Sequence, residues 1–508
     1  MRAPTGNTAA LPPQQTGTEE QTGTEEREAP TPSAQSRPEA DWWIWVMAGA
    51  LFFAYMALSL RIHERLLSRS FDLGIFVQVV RSYASGHLPV SEVKGPDFPV
   101  LGDHFSPILA LLAPLYWLWP SVKVLLVAQA ALVAGSVLPL AFWARRTLGS
   151  AAAAVIGTCY GVSWGIASGV SSDFHEWAFA LPLLTLSLTA LGGGRLRAAA
   201  YWALPLLLVK EDLGLTVAAI GLVIAWRGGR GGRRLGLLTA AAGVAGTGLA
   251  LLVLASFHPG GFDGYLVSHN PGGGAGGSGG ALVGETQGGL LELLHQLTLG
   301  LITPQEKVTT LILILAPTLF LALRSPLALI ALPSVLWRLA SNYPPHWGTG
   351  YHYSLLVMPI VFVAFVDTLQ RRGTSGRSLY RHLAGSAAVT LLLLPHYPLW
   401  QLTQPETWVK DPRIAVAHSV MDEIPDDATV QASHYLVPHL ADRTSVSLYG
   451  WGDSRPNPEW IMVDTQVQPH LRWPMSVVQE QISLDEARAR GYHTVDDRDG
   501  FVLLSRTG

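Results

Sequence analysis

Charge is what this 508-residue chain has least of. Asp, Glu, Lys and Arg together make up 14% of it, against about 25% in an ordinary soluble domain. That shortfall excludes a conventional water-soluble protein. A single cysteine, Cys159, excludes a disulfide framework. A net charge of −3 gives no reason to expect nucleic acid as a partner. There is no phosphate-binding Gly-rich loop, no His-Glu-x-x-His and no Gly-x-Ser-x-Gly. Nucleotide hydrolysis, zinc proteolysis and serine-hydrolase chemistry therefore have no sequence basis. The basic run RGGRGGRR lacks interleaved aromatics, so it is a topology signal rather than an RNA-binding patch.

What is present is apolar length. Residues 1–41, which include TGTEEQTGTEEREAPTP, are polar and are expected to be a disordered tail. No signal peptide precedes the first apolar run, which starts at Trp42 and reads as a retained signal-anchor helix. Further runs lie at 106–119, 121–143, 151–169, 177–191, 199–209, 213–226, 234–256, 308–323, 326–340, 352–370 and 384–400. About 20 apolar residues span a bilayer.

Lys and Arg in short loops set orientation. Five connectors are basic and acid-free: Arg145–Arg146; Arg195 and Arg197; Arg227 to Arg234; Arg324; and Arg371 to Arg381. All five are expected to be cytoplasmic. The segment 199–226 must then cross twice, breaking at Lys210-Glu211-Asp212. The segment 106–119 must not cross, and becomes a half-inserted outer helix. The expected architecture is an α-helical polytopic membrane protein with about eleven transmembrane helices, the N-terminus cytoplasmic and the C-terminus extracytoplasmic. Twelve ordinary spans are the alternative, at the cost of two basic loops on the wrong side. The first outer layer is 61–119 and the transmembrane domain 42–400. Residues 401–508 change character: PRIAVAHSVMDEI and SLDEARARG have helical spacing, whereas TVQAS, SVSLY, WIMVDT and FVLLSR are strand-like. They are expected to form a small extracytoplasmic α/β domain.

Ionisable groups near hydrocarbon are costly and usually functional. Asp72, in SFDLGIF, could act as a general base or metal ligand, or could cap the following helix. Asp103 and His104, in GDHFSP, could hold a metal or diphosphate, or could only help start a helix. Asp173, His175 and Glu176 put three ligand-type side chains into four residues, and could suit a divalent metal ion or merely face water. Lys210, Glu211 and Asp212 could engage a lipid-linked phosphate, or form a salt bridge fixing a hairpin. A second Gly-rich outer stretch, NPGGGAGGSGG, precedes the amphipathic LLELLHQLTLG, and SNYPPHWGTGY carries His346 just before His352 and Tyr353.

These stretches, in this order, resemble an uncharacterised bacterial membrane family catalogued as domain of unknown function 2079. The resemblance runs over roughly 45–505 and rests on SFDLGIFVQVVRSYASGHLP, LGDHFSPILALLAPLYWLWP, SSDFHEWAFALPLL, LLLVKEDLGLTVAAIGL, LPSVLWRLASNYPPHWGTGYHYSLLVMPIVF and IPDDATVQASHYLVPHLADR. That family is in turn similar to the GT-C superfamily of membrane glycosyltransferases. By that resemblance Asp72 takes the acidic catalytic position, Ser106-Pro107 the half-inserted helix, Lys210 the lysine and His352-Tyr353 the late aromatic motif. The usual second acid is Leu73 here, and the late motif's arginine is His352. The resemblance implies a plasma-membrane enzyme that moves a sugar from a polyprenyl-phosphate donor to an extracytoplasmic acceptor. Asp103, His104, Lys210, Glu211 and Asp212 would lie near the donor phosphate or a metal. Asp173, His175, Glu176, His346, His352 and Tyr353 would line the site. Asp72 is further expected to lie near Asp103-His104 in one outer layer. A transporter or flippase would instead spread polar residues along its spans in an inverted repeat, and a non-catalytic scaffold would tolerate loss of the outer acids.

The orientation is testable without any substrate. Arg230→Cys and Asp212→Cys, each made singly, should differ on whole cells treated with an impermeant thiol reagent. Labelling at 212 and not at 230 is expected; the reverse contradicts the orientation.

Overall fold

The structure is a computed structural model that describes residues 41–261, 295, 298–341 and 343–506. The polar tail 1–40 and most of the Gly-rich stretch and amphipathic segment between 262 and 297 lie outside the described residues. Among the described residues the chain is mostly helical. Four helices are long and apolar enough to cross a membrane: Trp42–Glu64, Lys123–Leu148, Gly229–Phe257 and His352–Arg371. Ser150–Gly161 and Trp164–Ser171 form a pair bent by 41°, and would be a fifth span if taken together. Trp177–Gly192, Leu196–Leu208, Leu213–Arg227 and Pro326–Ala340 are shorter apolar helices.

Side chains explain the breaks. At the bend, Ser163 has extended backbone and ends the first helix. The Tyr55 hydroxyl, fully buried, donates to the freed Gly161 carbonyl at 2.6 Å, so the interruption leaves no orphan acceptor there. The segment 199–226 breaks at Lys210–Asp212 into two helices. The second packs on Gly229–Phe257 through glycine: a Cβ at Gly221 or Gly236 would collide with the facing helix's backbone. The run 308–323 is not one helix. Gln305–Leu315 gives way at Pro317 to a 3-10 turn, and Leu319 and Phe320 take left-handed backbone, because proline cannot continue the hydrogen-bond ladder.

Residues 107–118 form a short 3-10 then α segment, Pro107–Leu112 and Ala113–Leu118. Twelve residues are too few to span ~30 Å of hydrocarbon. Trp117 and Leu118 are 68% and 84% exposed, which suits an apolar surface covered by lipid.

Two small sheets lie among the outer segments. β1 (Val90–Ser91) pairs antiparallel with β2 (Phe98–Pro99). In the C-terminal region, β3 (Thr429–Ala432), β4 (Ser445–Leu448), β5 (Trp460–Asp464), β6 (Tyr492–Arg498) and β7 (Phe501–Arg506) form a sheet of order β4-β3-β5-β7-β6. β3 is parallel to β4 and β5; β7 is antiparallel to β5 and β6. β6 has no counterpart in the sequence reading. It is an edge strand, mostly exposed, and its HTVDDR has no apolar alternation to reveal it.

Residues 73–92 grip this sheet. Helix Ile75–Ala84 offers Gln78, whose amide donates to the Val446 carbonyl at 2.7 Å and accepts from the Ser91 hydroxyl at 2.7 Å. Arg81 donates to the Thr444 carbonyl at 2.9 Å. Arg455 makes a two-pronged pair with Glu92, both bonds 2.8 Å. One apolar core runs through Leu73, Val77 and Val80 into Leu436, Val437, Val446 and Phe501.

Gln78→Leu should cost about 1–3 kcal/mol, because it leaves a buried carbonyl and a buried hydroxyl unpaired. The check is a lowered thermal midpoint in detergent; an unchanged midpoint contradicts the attachment.

Candidate functional site

Asp72 does not cap a helix. It lies within a π-helical turn, Ser70–Gly74, and the following helix is preceded by Gly74 with no side-chain cap. π-turns are frequent at functional sites. Here the turn aims the carboxylate inward, with its side chain 24% exposed. His175 Nε2 lies 3.3 Å from Oδ1, and an Arg69 guanidinium nitrogen lies 3.6 Å from Oδ2. Burial pushes the Asp72 carboxyl up, but the His175 hydrogen bond and the charges of His175 and Arg69 outweigh it, so the net shift is downward. Asp173 fares oppositely. Burial, then repulsion from Asp72, raises it to about 6. Its oxygen accepts from the Arg69 backbone N–H at 3.0 Å.

The 173–176 loop is fixed from below by Gln129, which is 0% exposed. Its amide donates to the Asp173 carbonyl at 2.5 Å and accepts from the His175 N–H at 2.9 Å. Asp173 takes left-handed backbone, φ 66°, which a non-glycine residue adopts only under such constraint. The loop therefore sends His175 toward Asp72 and Glu176 toward Lys210, where carboxylate and ammonium lie 2.7 Å apart.

Lys210 begins the second acidic loop. Burial would lower its pKa, but Glu176, Glu211 and Asp212 together raise it. Glu211, lifted by burial, is brought down to about 2 by Lys210 and His104. Asp212 is pushed up to about 7 by burial and then by the Glu211 charge. Glu211 also reaches the 102–107 segment: it accepts from the Phe105 N–H at 3.1 Å and lies 3.5 Å from His104. His104 is 3.5 Å from Asp103, which pairs with Lys94 at 3.1 Å. The four sequence motifs thus join one charged belt. Within it the contact partner of Asp72 is His175, and Asp103-His104 connects through Glu211 and Glu176.

The late motif closes the other side. The His352 ring stacks on His175, centroids 3.5 Å apart, and Trp177 meets it edge-on. Tyr353 packs against His346 at 4.9 Å. Beyond them lies Arg338, 2% exposed. Its guanidinium donates to the His346 carbonyl at 2.7 Å and the Ser354 hydroxyl at 3.1 Å. It has no ion-pair partner among the described residues.

Several of these residues escape sequence reasoning. Gln129 sits in an apolar run with no motif around it. Arg69 is adjacent to Asp72 yet looks like an ordinary connector charge. His434 comes from the C-terminal region and accepts from, or donates to, Ser70 at 2.6 Å. Arg338 carried a readable signal: a lone charge in the apolar run 326–340. Among the described residues no three His, Cys, Asp or Glu side chains converge to hold a metal ion.

The sequence matches a family described as "Predicted membrane protein (DUF2079)" over residues 62–503. No curated protein matches. The fold is similar to the crystal structure of ArnT from Cupriavidus metallidurans bound to undecaprenyl phosphate. The TM-score is 0.55 at 14% identity, covering 92% of this chain and 99% of that one. At 14% identity the likeness is one of fold.

The Asp212 shift gives a pH signature. A carboxyl whose folded pKa is raised favours the folded state while protonated, and that contribution is lost as pH rises from the unfolded value through about 7. Asp212→Asn should match the parent's thermal midpoint at pH 4 and exceed it by a few degrees at pH 8. Equal midpoints at both pH values would show that Asp212 ionises freely.

Proposed function

The chain belongs to the DUF2079 family of predicted membrane proteins, and we propose that it is a GT-C-like glycosyltransferase of the plasma membrane. It takes a sugar from a polyprenyl-phosphate donor to a hydroxyl-bearing acceptor on the extracytoplasmic side. The observation that carries this reading is Asp72: a carboxylate shifted toward its ionised form, held by His175 and Arg69 at the edge of a lipid-embedded helical fold. The likeness to a protein solved with undecaprenyl phosphate supports the donor class.

In the proposed step, Asp72 accepts the proton of the acceptor hydroxyl as its oxygen attacks the sugar's anomeric carbon. The bond from that carbon to the phosphate oxygen breaks with inversion, and the polyprenyl phosphate leaves with the electron pair. His175 and Arg69 orient the carboxylate. Glu176, fixed by Lys210, holds the His175 loop in place. The acidic belt faces outward, with the N-terminus cytoplasmic, the C-terminus extracytoplasmic and residues 107–118 half-inserted at the outer surface. A lipid-phosphate donor needs no cytoplasmic nucleotide, which agrees with a chain lacking nucleotide motifs. The charged loops at Asp72, Asp103–His104, 173–176 and 210–212 collect in one belt rather than along several spans, which disfavours a transporter.

Asp72→Asn should lower turnover by ~10²–10⁴, the usual scale for loss of a general base. The measurement is sugar transfer from a short-chain polyprenyl-phosphate donor in detergent. Undiminished transfer by a folded Asp72→Asn variant, or no transfer by the parent from any donor tried, favours a non-catalytic scaffold.

A further inference from the structure

The cations around the site differ in what already neutralises them. Lys210 faces Glu176 at 2.7 Å, with Glu211 and Asp212 adjoining. A second anion placed there would meet three carboxylates for one ammonium. Arg338 is the opposite case. It is buried, and its two hydrogen bonds go to a carbonyl and a hydroxyl, both neutral. A buried guanidinium without a counter-charge costs several kcal/mol, and such groups in membrane proteins mark ligand sites.

Its surroundings repeat the pattern of spare donors without acids. The indole N–H groups of Trp337 and Trp347 and the hydroxyl of Ser334 are buried with no hydrogen-bond partner among the described residues. Ser334 lies one helical turn before Arg338. Trp337 contacts both His346 and Tyr353, at 5.0 and 6.1 Å between rings. Lys307, also buried and without an acid partner among the described residues, donates to the Leu339 and Gly300 carbonyls at 2.6 Å and lies over the Trp347 ring. Buried donors that lack acceptors call for an acceptor-rich ligand.

A cavity of about 420 Å³ lies between helix Gln305–Leu315 and the segment 344–351 and meets this cluster at Trp347, with Arg338 and Trp337 off its wall. Trp347 lines one end, and Tyr351 another part of the wall. The Tyr351 ring sits over Arg69, the partner of Asp72. Leu313, Pro344 and Pro345 give the wall an apolar stretch suited to hydrocarbon, and Glu306 is the one carboxylate on it.

We propose that Arg338, with Trp337 and Trp347, seats the phosphate group of the substrate, and that Lys210 serves the acidic belt instead. This rests on the transferase reading above, because the phosphate is that of its lipid-linked donor. The divided charge gives the donor and acceptor sides opposite character. The anionic leaving group meets buried donors that contact no acid among the described residues, while the acceptor hydroxyl meets Asp72.

The test is binding to the full-length protein in detergent, measured by native mass spectrometry and thermal shift. The probes are undecaprenyl phosphate, undecaprenol and inorganic phosphate. The parent should bind undecaprenyl phosphate saturably and undecaprenol far more weakly. Inorganic phosphate should compete only at much higher concentration, which assigns the phosphate to a lipid rather than to free solute. Arg338→Gln should weaken undecaprenyl phosphate about tenfold to a hundredfold, the scale of a lost charge-assisted bond. Arg338→Lys should fall between, and Trp337→Phe, which removes one N–H, should weaken it a few-fold. Either carries the test if Arg338→Gln does not fold. Unchanged undecaprenyl phosphate binding by folded Arg338→Gln and Trp337→Phe variants overturns this assignment and leaves the transferase reading standing. If the parent binds undecaprenol as tightly as its phosphate, or binds neither lipid nor inorganic phosphate, this assignment and the donor class fail together.

Discussion

The pairing of Glu176 with Lys210 organises the centre of this molecule. Both are buried at the ends of apolar helices, where a lone charge would cost several kcal/mol. Each makes the other tolerable, and the two loops that carry them are thereby tied together. The consequences reach both neighbours. On the 173–176 side, a fixed Glu176 and the Gln129 clamp leave His175 no direction but toward Asp72. On the 210–212 side, Glu211 is held where it receives the Phe105 N–H and approaches His104. The first outer layer, two mid-chain loops and the late His352-Tyr353 motif become one site because buried charges require partners.

That requirement also separates the site into two regions. The belt from Asp72 through Glu176 to Glu211 and Asp212 is rich in carboxylates. Arg338, Trp337 and Trp347 offer donors that contact no carboxylate among the described residues, with Glu306 on the wall of the adjoining cavity. Transfer of a sugar from a phosphate carrier develops negative charge on the leaving phosphate and takes a proton from the attacking hydroxyl. Catalysis is served by fixed groups that meet those charges as they form. A division into basic and cationic sides is what the proposed step needs, and it is set before any ligand arrives.

Much of this was readable from residue order, and what was not has physical causes. Long apolar runs bounded by acid-free arginine clusters announce helices, and the three charges at 210–212 mark the break between two of them. The strands β3, β4, β5 and β7 show as short apolar runs, whereas β6 is polar along its length because it is a solvated edge. Asp72 stood out as an acid near hydrocarbon, but its neighbours could not be read. A π-turn has no simple sequence period, and the His175 contact depends on a left-handed Asp173 and on Gln129 from a distant helix. Phosphate binding by Lys210 followed from the motif alone; the buried Glu176 beside it is visible only in three dimensions. Arg338 was overlooked because its run also reads well as an ordinary apolar helix. Pro317 carried a sign that was underweighted: a proline inside 308–323 breaks that helix.

The central claim, that a lipid-linked phosphate enters the outer cavity and is seated at Arg338 with Asp72 on the acceptor side, is tested most directly by imaging the ligand. A cryo-EM map of the full chain in nanodiscs with undecaprenyl phosphate should show the phosphate against Arg338 and Trp337. The lipid chain should follow the cavity beside Leu313 and Pro344, on the same face of the membrane as Asp72. Phosphate density at the arginine-rich connectors Arg227–Arg234, or none in the outer cavity at saturating ligand, would contradict the account.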